Sequence, residues 1–64
     1  MNLQVNGKTQ EVSAQNLELL LAELGYSDRV ATAVNEAFIP KASRADTPLK
    51  AGDRVEILAP MQGG

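Results

Sequence analysis

Alternating apolar and polar residues open the chain and return near its end, which predicts a strand in each place. Residues 2–5 alternate, and the Asn6-Gly7 pair that follows favours a two-residue turn with positive φ at both positions. Residues 8–12 continue with a second short run, so we expect these two segments to pair as an antiparallel hairpin. Residues 54–59, Arg-Val-Glu-Ile-Leu-Ala, alternate again and predict the last strand.

Leucines recur at helical spacing in residues 17–24 and predict one amphipathic helix. Four of them share a single face: Leu17, Leu20, Leu21 and Leu24. Asn16 suits the cap at the start of this helix, and Gly25 suits the position just after its end. Glu18 and Glu23 point away from the leucine face, so we expect solvated side chains rather than a general acid and base.

The middle of the chain predicts two further strands and a loop. Residues 30–34, Val-Ala-Thr-Ala-Val, are apolar at nearly every position and predict a strand buried on both faces. Phe38-Ile39 predicts a short strand at a sheet edge, because Pro40 ends it and cannot donate to a ladder. Residues 41–48 lack periodicity and are interpreted as a loop, which Leu49 would anchor to the core.

Together these elements predict an α+β fold, a mixed sheet of four or five strands with one main helix packed on one face. The opposite face stays open to water or to a partner, because one helix covers only one side. Strand parity places Val55 and Ile57 on one side of the last strand and Leu58 on the other. We expect Leu58, on the way to Met61, to belong to a docking surface on the open face.

Composition limits the classes of function. The 64 residues suffice for one domain, which we place over residues 1–60, with a flexible C-terminal tail over residues 61–64. The net charge is −2 and the six basic residues are scattered, so no basic face favours nucleic acid. No bilayer-spanning segment, signal peptide or cysteine is recognisable, so we expect a cytoplasmic protein with protein partners and no membrane contact.

The two terminal glycines, Gly63-Gly64, carry the best candidate for chemistry. The chain has no Cys and no His, and its acidic residues do not cluster at metal-ligand spacing. The Gly64 carboxylate is therefore the reactive group that we expect, and glycines without Cβ atoms can enter a narrow channel. Met61 and Gln62 would extend its reach. The alternative is a frayed terminus without a role.

Five segments carry a family resemblance, and they are Leu3-Gln4-Val5-Asn6-Gly7, Leu24-Gly25, Val34-Asn35-Glu36 through Ile39-Pro40, residues 49–57, and Gln62-Gly63-Gly64. In this order they cover essentially the whole chain, which resembles the ThiS family, the β-grasp, ubiquitin-like sulfur carriers of thiamin biosynthesis. One departure lies in the middle turn. The family often has Gly after the Asn, whereas this chain has Glu36 after Asn35.

The resemblance implies a carrier protein rather than an enzyme. A ThiF-like enzyme that uses ATP and Mg²⁺ would adenylate the Gly64 carboxylate, and a sulfur donor protein would convert it to a thiocarboxylate. A ThiG-like thiazole synthase would then use the sulfur for the thiamin thiazole ring. Gly63 would provide clearance, and Gln62, Met61 and Leu58 would contact partners. The chain itself would bind no cofactor and no metal.

Several alternatives share parts of this pattern. The small subunit of molybdopterin synthase carries sulfur by the same terminal chemistry, but its members are usually longer. A ubiquitin-like modifier would be attached through the same glycines to lysines of target proteins. A plain β-grasp interaction module would make no use of its terminus. An enzyme in its own right is the least favoured class, because the sequence offers no catalytic cluster.

Overall fold

Five strands and one α-helix make up residues 1–59, the part of the chain that the computed structural model describes. In chain order the elements are β1 (Asn2–Val5), β2 (Lys8–Glu11), α1 (Leu17–Leu24), β3 (Ala31–Val34), β4 (Ala37–Ile39), a 3₁₀ turn over Lys41–Ser43, and β5 (Arg54–Leu58). The predicted hairpin, helix and edge strand are all present. β2, β3 and β5 are each one residue shorter than predicted, and β4 is one residue longer.

The strands form one mixed sheet in the order β2-β1-β5-β3-β4. The central strand β5 runs parallel to β1 and antiparallel to β3, and the two hairpins are antiparallel. The first and last segments of the described chain therefore meet in the middle of the sheet. β4 lies at one edge, as Pro40 predicts.

The helix α1 begins and ends where its capping residues predict. The side-chain oxygen of Asn16 accepts a hydrogen bond from the Leu19 amide at 2.8 Å, which satisfies an amide that the first turn leaves free. Gly25 ends the helix with φ of 83°, a left-handed conformation that favours glycine. Leu17, Leu20 and Leu21 are buried against the sheet, and each contributes about 1.5–3 kcal/mol by leaving water.

The prediction that β3 is buried on both faces is wrong. Thr32 and Val34 are buried on one face of the sheet, whereas Ala31 is exposed and Ala33 is half-buried on the opposite face. The apolar run gave the wrong burial because alanine fits either environment. A methyl side chain has so little apolar surface that leaving it exposed costs little.

The segment 41–48 is more ordered than a loop without periodicity suggests. It begins with the 3₁₀ turn, and Pro48 forms a bridge with Asn16 at the start of the helix. The Leu49 amide then donates to the Gln15 carbonyl oxygen at 3.0 Å, and Leu49 is buried in the core as predicted. This segment therefore packs beside the N-terminal end of α1.

Arg44 also holds this segment in place, and nothing in the pattern of residues 41–48 predicts its burial. Only 4% of the residue is exposed. Its guanidinium group donates to the Asp28 carbonyl oxygen at 3.1 Å, to the Val30 carbonyl oxygen, and to the Thr32 hydroxyl at 3.3 Å. These bonds replace water around a buried cation and tie the segment to β3.

Candidate docking face and carboxyl terminus

The predicted reactive end of the chain lies outside the described residues 1–59. Gly64, Gly63, Gln62 and Met61 were assigned to it from the sequence, and their roles stay predictions. The structure does describe the strand that leads to them. β5 ends at Leu58 in the centre of the sheet, and Ala59 follows it.

The apolar half of the open sheet face lies where β5 ends. In the register of the strands, Ala33 of β3 stands between Phe38 of β4 and Glu56 of β5. One row further on, Ala31 stands opposite Leu58. These side chains surround a shallow hollow of about 80 Å³, which Thr32 also lines. We call the five outward-facing residues Ala31, Ala33, Phe38, Glu56 and Leu58 the docking face.

Two large apolar side chains of the docking face are exposed to solvent. Leu58 is 65% exposed and Phe38 is 68% exposed. Their neighbours Val55 and Ile57 on β5 are almost wholly buried, so Leu58 lies on the open face as strand parity indicates. A large apolar side chain gains about 1.5–3 kcal/mol when it leaves water, so a partner that covered this pair would gain from both. A role for Leu58 in partner binding stays a prediction.

Phe38 was interpreted from the sequence only as part of an edge strand. The sequence contained a usable signal, because small alanines alternate with Thr32 and Val34 in β3 and leave room for a large neighbour. Alternation within each strand shows which side chains share a face of that strand. It does not show that Phe38 and Leu58 share one face of the sheet, because this also requires knowing that β3 lies beside β5. That neighbour relation depends on the topology of the whole sheet.

The remainder of the open face is polar. Asn2 and Gln4 point outward from β1, and in the register they stand opposite Glu11 and Thr9 of β2. Arg54 continues this polar area onto β5 opposite Gln4. The apolar surface is thus confined to the half of the face that is nearest to the end of β5.

The acidic residues of α1 do not form a general acid–base pair. The Glu23 carboxylate accepts hydrogen bonds from the Ser13 amide at 3.0 and 3.1 Å and from the Ala14 amide at 2.8 Å. Glu18 and Glu23 are both exposed, as predicted, and Glu23 also fixes the connection between β2 and α1. Within residues 1–59, no three Asp, Glu, His or Cys side chains are grouped so as to hold a metal ion.

A second hollow, of about 260 Å³, lies beside the helix and includes Glu18, Asp28, Lys41 and Arg44 among its lining residues. The Lys41 ammonium lies 2.8 Å from the Asp28 carboxylate, and both side chains are exposed. The hydrogen bond from Lys41 and its positive charge lower the pKa of Asp28, and the charge of Arg44 adds to the effect. Two acids and two cations balance here, so the hollow favours neither an anion nor a cation.

None of the helices in the described part of the chain has the length and apolar character needed to cross a membrane. The main helix has only eight residues.

Comparison with known proteins identifies the family. The model of the ThiS family matches residues 3–64. The chain belongs to the ThiS family. A crystal structure of the thiamine biosynthesis protein ThiS from Geobacter metallireducens is similar over the full length of both chains, with a TM-score of 0.85 and 35% identity. This likeness confirms the predicted β-grasp, ubiquitin-like fold.

Two further relatives match this ThiS family member over very different fractions of their own length. A sulfur carrier protein ThiS from Thermus thermophilus is 36% identical over 61 residues, which are 94% of this chain and 95% of the relative. A thiazole synthase from Paramagnetospirillum magneticum is 41% identical over 66 residues, which are 100% of this chain. The chain spans only 20% of the length of that second relative.

Proposed function

We propose that this protein is the sulfur carrier of thiamin thiazole formation, with the Gly64 carboxylate as the group that carries sulfur. The observation that carries the proposal is the family match, which extends through residue 64 and therefore includes the Gly63-Gly64 end. The Thermus relative named as a sulfur carrier matches almost end to end, which supports the same role for a chain of this size.

The proposed chemistry has two displacements. A carboxylate oxygen of Gly64 attacks the α-phosphorus of ATP, pyrophosphate leaves, and an acyl-adenylate forms. Hydrosulfide released by the sulfur donor protein then attacks the carbonyl carbon, AMP leaves with the electron pair of the broken C–O bond, and loss of the thiol proton leaves the terminus as a thiocarboxylate. A free carboxylate is a poor electrophile, and the adenylate supplies the leaving group that sulfur needs.

The proposed partner for the first step is a ThiF-like adenylating enzyme. Charge develops on phosphate oxygens during adenylation, so the reaction needs a metal ion and fixed donors around it. We assign ATP and Mg²⁺ to that enzyme and no cofactor to the carrier. The carrier then contributes a narrow end without side chains and a surface that the enzyme recognises.

We assign recognition to the docking face. Its exposed pair Phe38 and Leu58 lies beside the last described residues, so an enzyme that accepts the carboxyl terminus would also cover this pair. Glu56, which neighbours Leu58 on the same side of β5, carries a negative charge, and a basic group of the enzyme would complement it. An enzyme surface with an apolar side chain for the hollow and a cation beside it fits this face.

The proposed acceptor of the sulfur is a ThiG-like thiazole synthase. The Paramagnetospirillum thiazole synthase contains a segment similar to this entire chain within a protein about five times as long. Two proteins joined in one chain meet at an effective concentration in the millimolar range for short linkers, so fusion favours components that act on each other. This arrangement supports thiazole synthase as a partner.

The intact mass of the full chain tests the proposal. The protein is incubated with a ThiF-like adenylating enzyme, MgATP and a sulfur source, beside a variant that lacks Gly64 and a variant with one alanine added after Gly64. We expect a mass gain equal to one oxygen-to-sulfur exchange in the wild type alone. Loading of the extended variant would rule out a specific requirement for the Gly64 carboxylate, which is a peptide carbonyl in that variant, and lysine-linked adducts would instead indicate a protein modifier.

A further inference from the structure

Within residues 1–59, no strand pairs with the end of β5 on the β1 side. β1 pairs with β5 only through Gln4 with Arg54 and Val5 with Val55. On the other side, β3 continues to pair with β5 as far as Leu58. β1 ends at Val5, so the last residues of β5 are not paired with this parallel strand.

The side chain of Asn6 takes the place of the missing strand. Its amide nitrogen donates to the Ile57 carbonyl oxygen at 3.1 Å, and its oxygen accepts from the Ile57 amide at 2.8 Å. The Asn6 backbone amide also donates to the Val55 carbonyl oxygen at 2.9 Å. One carboxamide side chain therefore continues the β1–β5 ladder by one more residue on β5.

Asparagine combines the two properties that this position requires. The β1–β2 turn gives Asn6 a φ of 52°, a left-handed conformation that asparagine tolerates better than most residues. The carboxamide carries a donor and an acceptor together, as a peptide group does, so it can satisfy both polar groups of Ile57. The turn preference alone accounts for Asn-Gly in the sequence, but it does not require this pair of bonds.

We propose that Asn6 is a positioning residue for the carboxyl terminus. Ile57 is the last residue that the structure shows to be held from the β1 side, and the chain from Leu58 onward leads to Gly64. By fixing Ile57, Asn6 sets the position and direction of the end of β5, which precedes the terminus that the adenylating enzyme must reach. This inference rests on the proposed function, because direction matters only if the terminus must reach a reaction site.

The β3–β4 turn supplies a matched control. Asn35 also has positive φ, at 51°, and its side-chain oxygen accepts from the Arg54 amide at 3.0 Å. Its nitrogen donates to the Asp53 carboxylate at 3.1 Å. Asn35 thus holds the start of β5 as Asn6 holds its end. Glycine accepts positive φ, so Asn6→Gly and Asn35→Gly each remove the side-chain bonds and leave the turn allowed.

Two measurements on the full-length variants test the inference. Hydrogen exchange at the Ile57 amide should be faster by about tenfold in Asn6→Gly, because this amide loses its hydrogen bond. In Asn35→Gly, exchange at Ile57 should change only as much as the change in global stability requires. In the sulfur-loading assay, kcat/KM for the carrier should fall about 3- to 30-fold in Asn6→Gly, because a misplaced reacting group is penalised steeply. Asn35→Gly should load within about twofold of the wild type.

Asn6→Asp provides a partial rescue. The aspartate keeps an acceptor for the Ile57 amide but presents an oxygen, not a donor, to the Ile57 carbonyl. We expect its exchange rate and its loading rate to lie between those of the wild type and Asn6→Gly.

The outcomes separate the two proposals. Faster Ile57 exchange with wild-type loading in Asn6→Gly would overturn the positioning role and leave the carrier function intact. Equal losses of loading in Asn6→Gly and Asn35→Gly would overturn it in favour of a general effect on stability. A wild-type chain that never loads would overturn the carrier function, and the positioning role with it.

Discussion

The two faces of the sheet share one backbone, but their apolar side chains differ in burial. On the covered face, Leu3, Val55 and Ile57 are each at most 3% exposed beneath α1. On the open face, Phe38 and Leu58 are each about two-thirds exposed although they belong to the same sheet. Burial in the isolated chain explains why the first set is apolar. It does not explain the second, which we assign under the proposed function to contact with the adenylating enzyme.

The difference shows how a domain of this size can divide its apolar residues. One α-helix and one sheet face supply the core, and residues 1–59 contain no second α-helix to cover the opposite face. Exposed apolar surface is common on proteins, but two large apolar side chains that flank one hollow at the end of a strand are a narrower observation. The following changes separate stability, on the covered face, from recognition, on the open face.

Leu20→Ala should cause the largest loss of stability. Leu20 is fully buried between α1 and the sheet, so its truncation should lower the free energy of unfolding by about 2–5 kcal/mol. The matched change Leu58→Ala should alter it by no more than about 0.5 kcal/mol, because Leu58 is mostly in water already. Urea unfolding followed by circular dichroism measures both. Similar losses for the two variants would mean that the two faces do not differ as described.

Leu58→Glu should weaken binding to the adenylating enzyme more than it lowers stability. A charge at the centre of an apolar contact should reduce affinity at least about tenfold, whereas the exposed position should keep the melting temperature near that of the wild type. Titration calorimetry measures the affinity. Thr9→Glu adds the same charge to the polar half of the open face and should bind like the wild type. A large fall in melting temperature with binding intact would assign Leu58 to the core.

Local rules explain what could be predicted from the sequence. The Asn6-Gly7 turn, the leucine spacing of α1 and its Asn16 cap each depend on residues close together in the chain. The structure has all three, and parity within β5 also placed Leu58 on the side opposite Val55. These features required no knowledge of which strands are neighbours.

The features that could not be predicted depend on neighbours far apart in the chain. Arg44 is buried because the segment 41–48 packs against the residues that precede β3, and a polar segment gives no sign of this. Phe38 joins Leu58 only because β3 stands between β4 and β5. The Asn6 bonds to Ile57 link positions 51 residues apart. Each depends on which elements are neighbours in the fold. The pattern of residues within a single element does not contain that information.

Glu36→Gly should stabilise the protein without changing recognition. Glu36 has φ of 74° in the β3–β4 turn, which costs a side-chain-bearing residue about 1–2 kcal/mol relative to glycine. Its exposed ion pair with Arg54, at 3.5 Å, contributes no more than about 1 kcal/mol. We therefore expect a net gain of about 0.5–1 kcal/mol by urea unfolding.

Glu36→Ala is the control for this change, because it removes the same ion pair and keeps the unfavourable backbone conformation. It should be no more stable than the wild type. Affinity for the adenylating enzyme should be equal in both variants, since this turn lies outside the docking face. Weaker binding of Glu36→Gly would show that the turn takes part in recognition and would extend the functional surface beyond the open face.

The ion pair of Asp28 and Lys41, beside the helix, should have the smallest effect. The lowered pKa of Asp28 in the folded state means that its ionised form contributes stability above the ordinary aspartate pKa, near about 4. That contribution is lost as the pH falls through the lower folded value. Lys41→Gln should therefore be slightly less stable than the wild type at pH 7, and the two urea midpoints should converge as the pH falls below about 4.

A difference that persisted at pH 2.5 would mean that Lys41 stabilises the fold through its hydrocarbon chain rather than through Asp28. Binding through the open face should not respond to this substitution at pH 7, because both side chains lie beside the helix, away from the docking face.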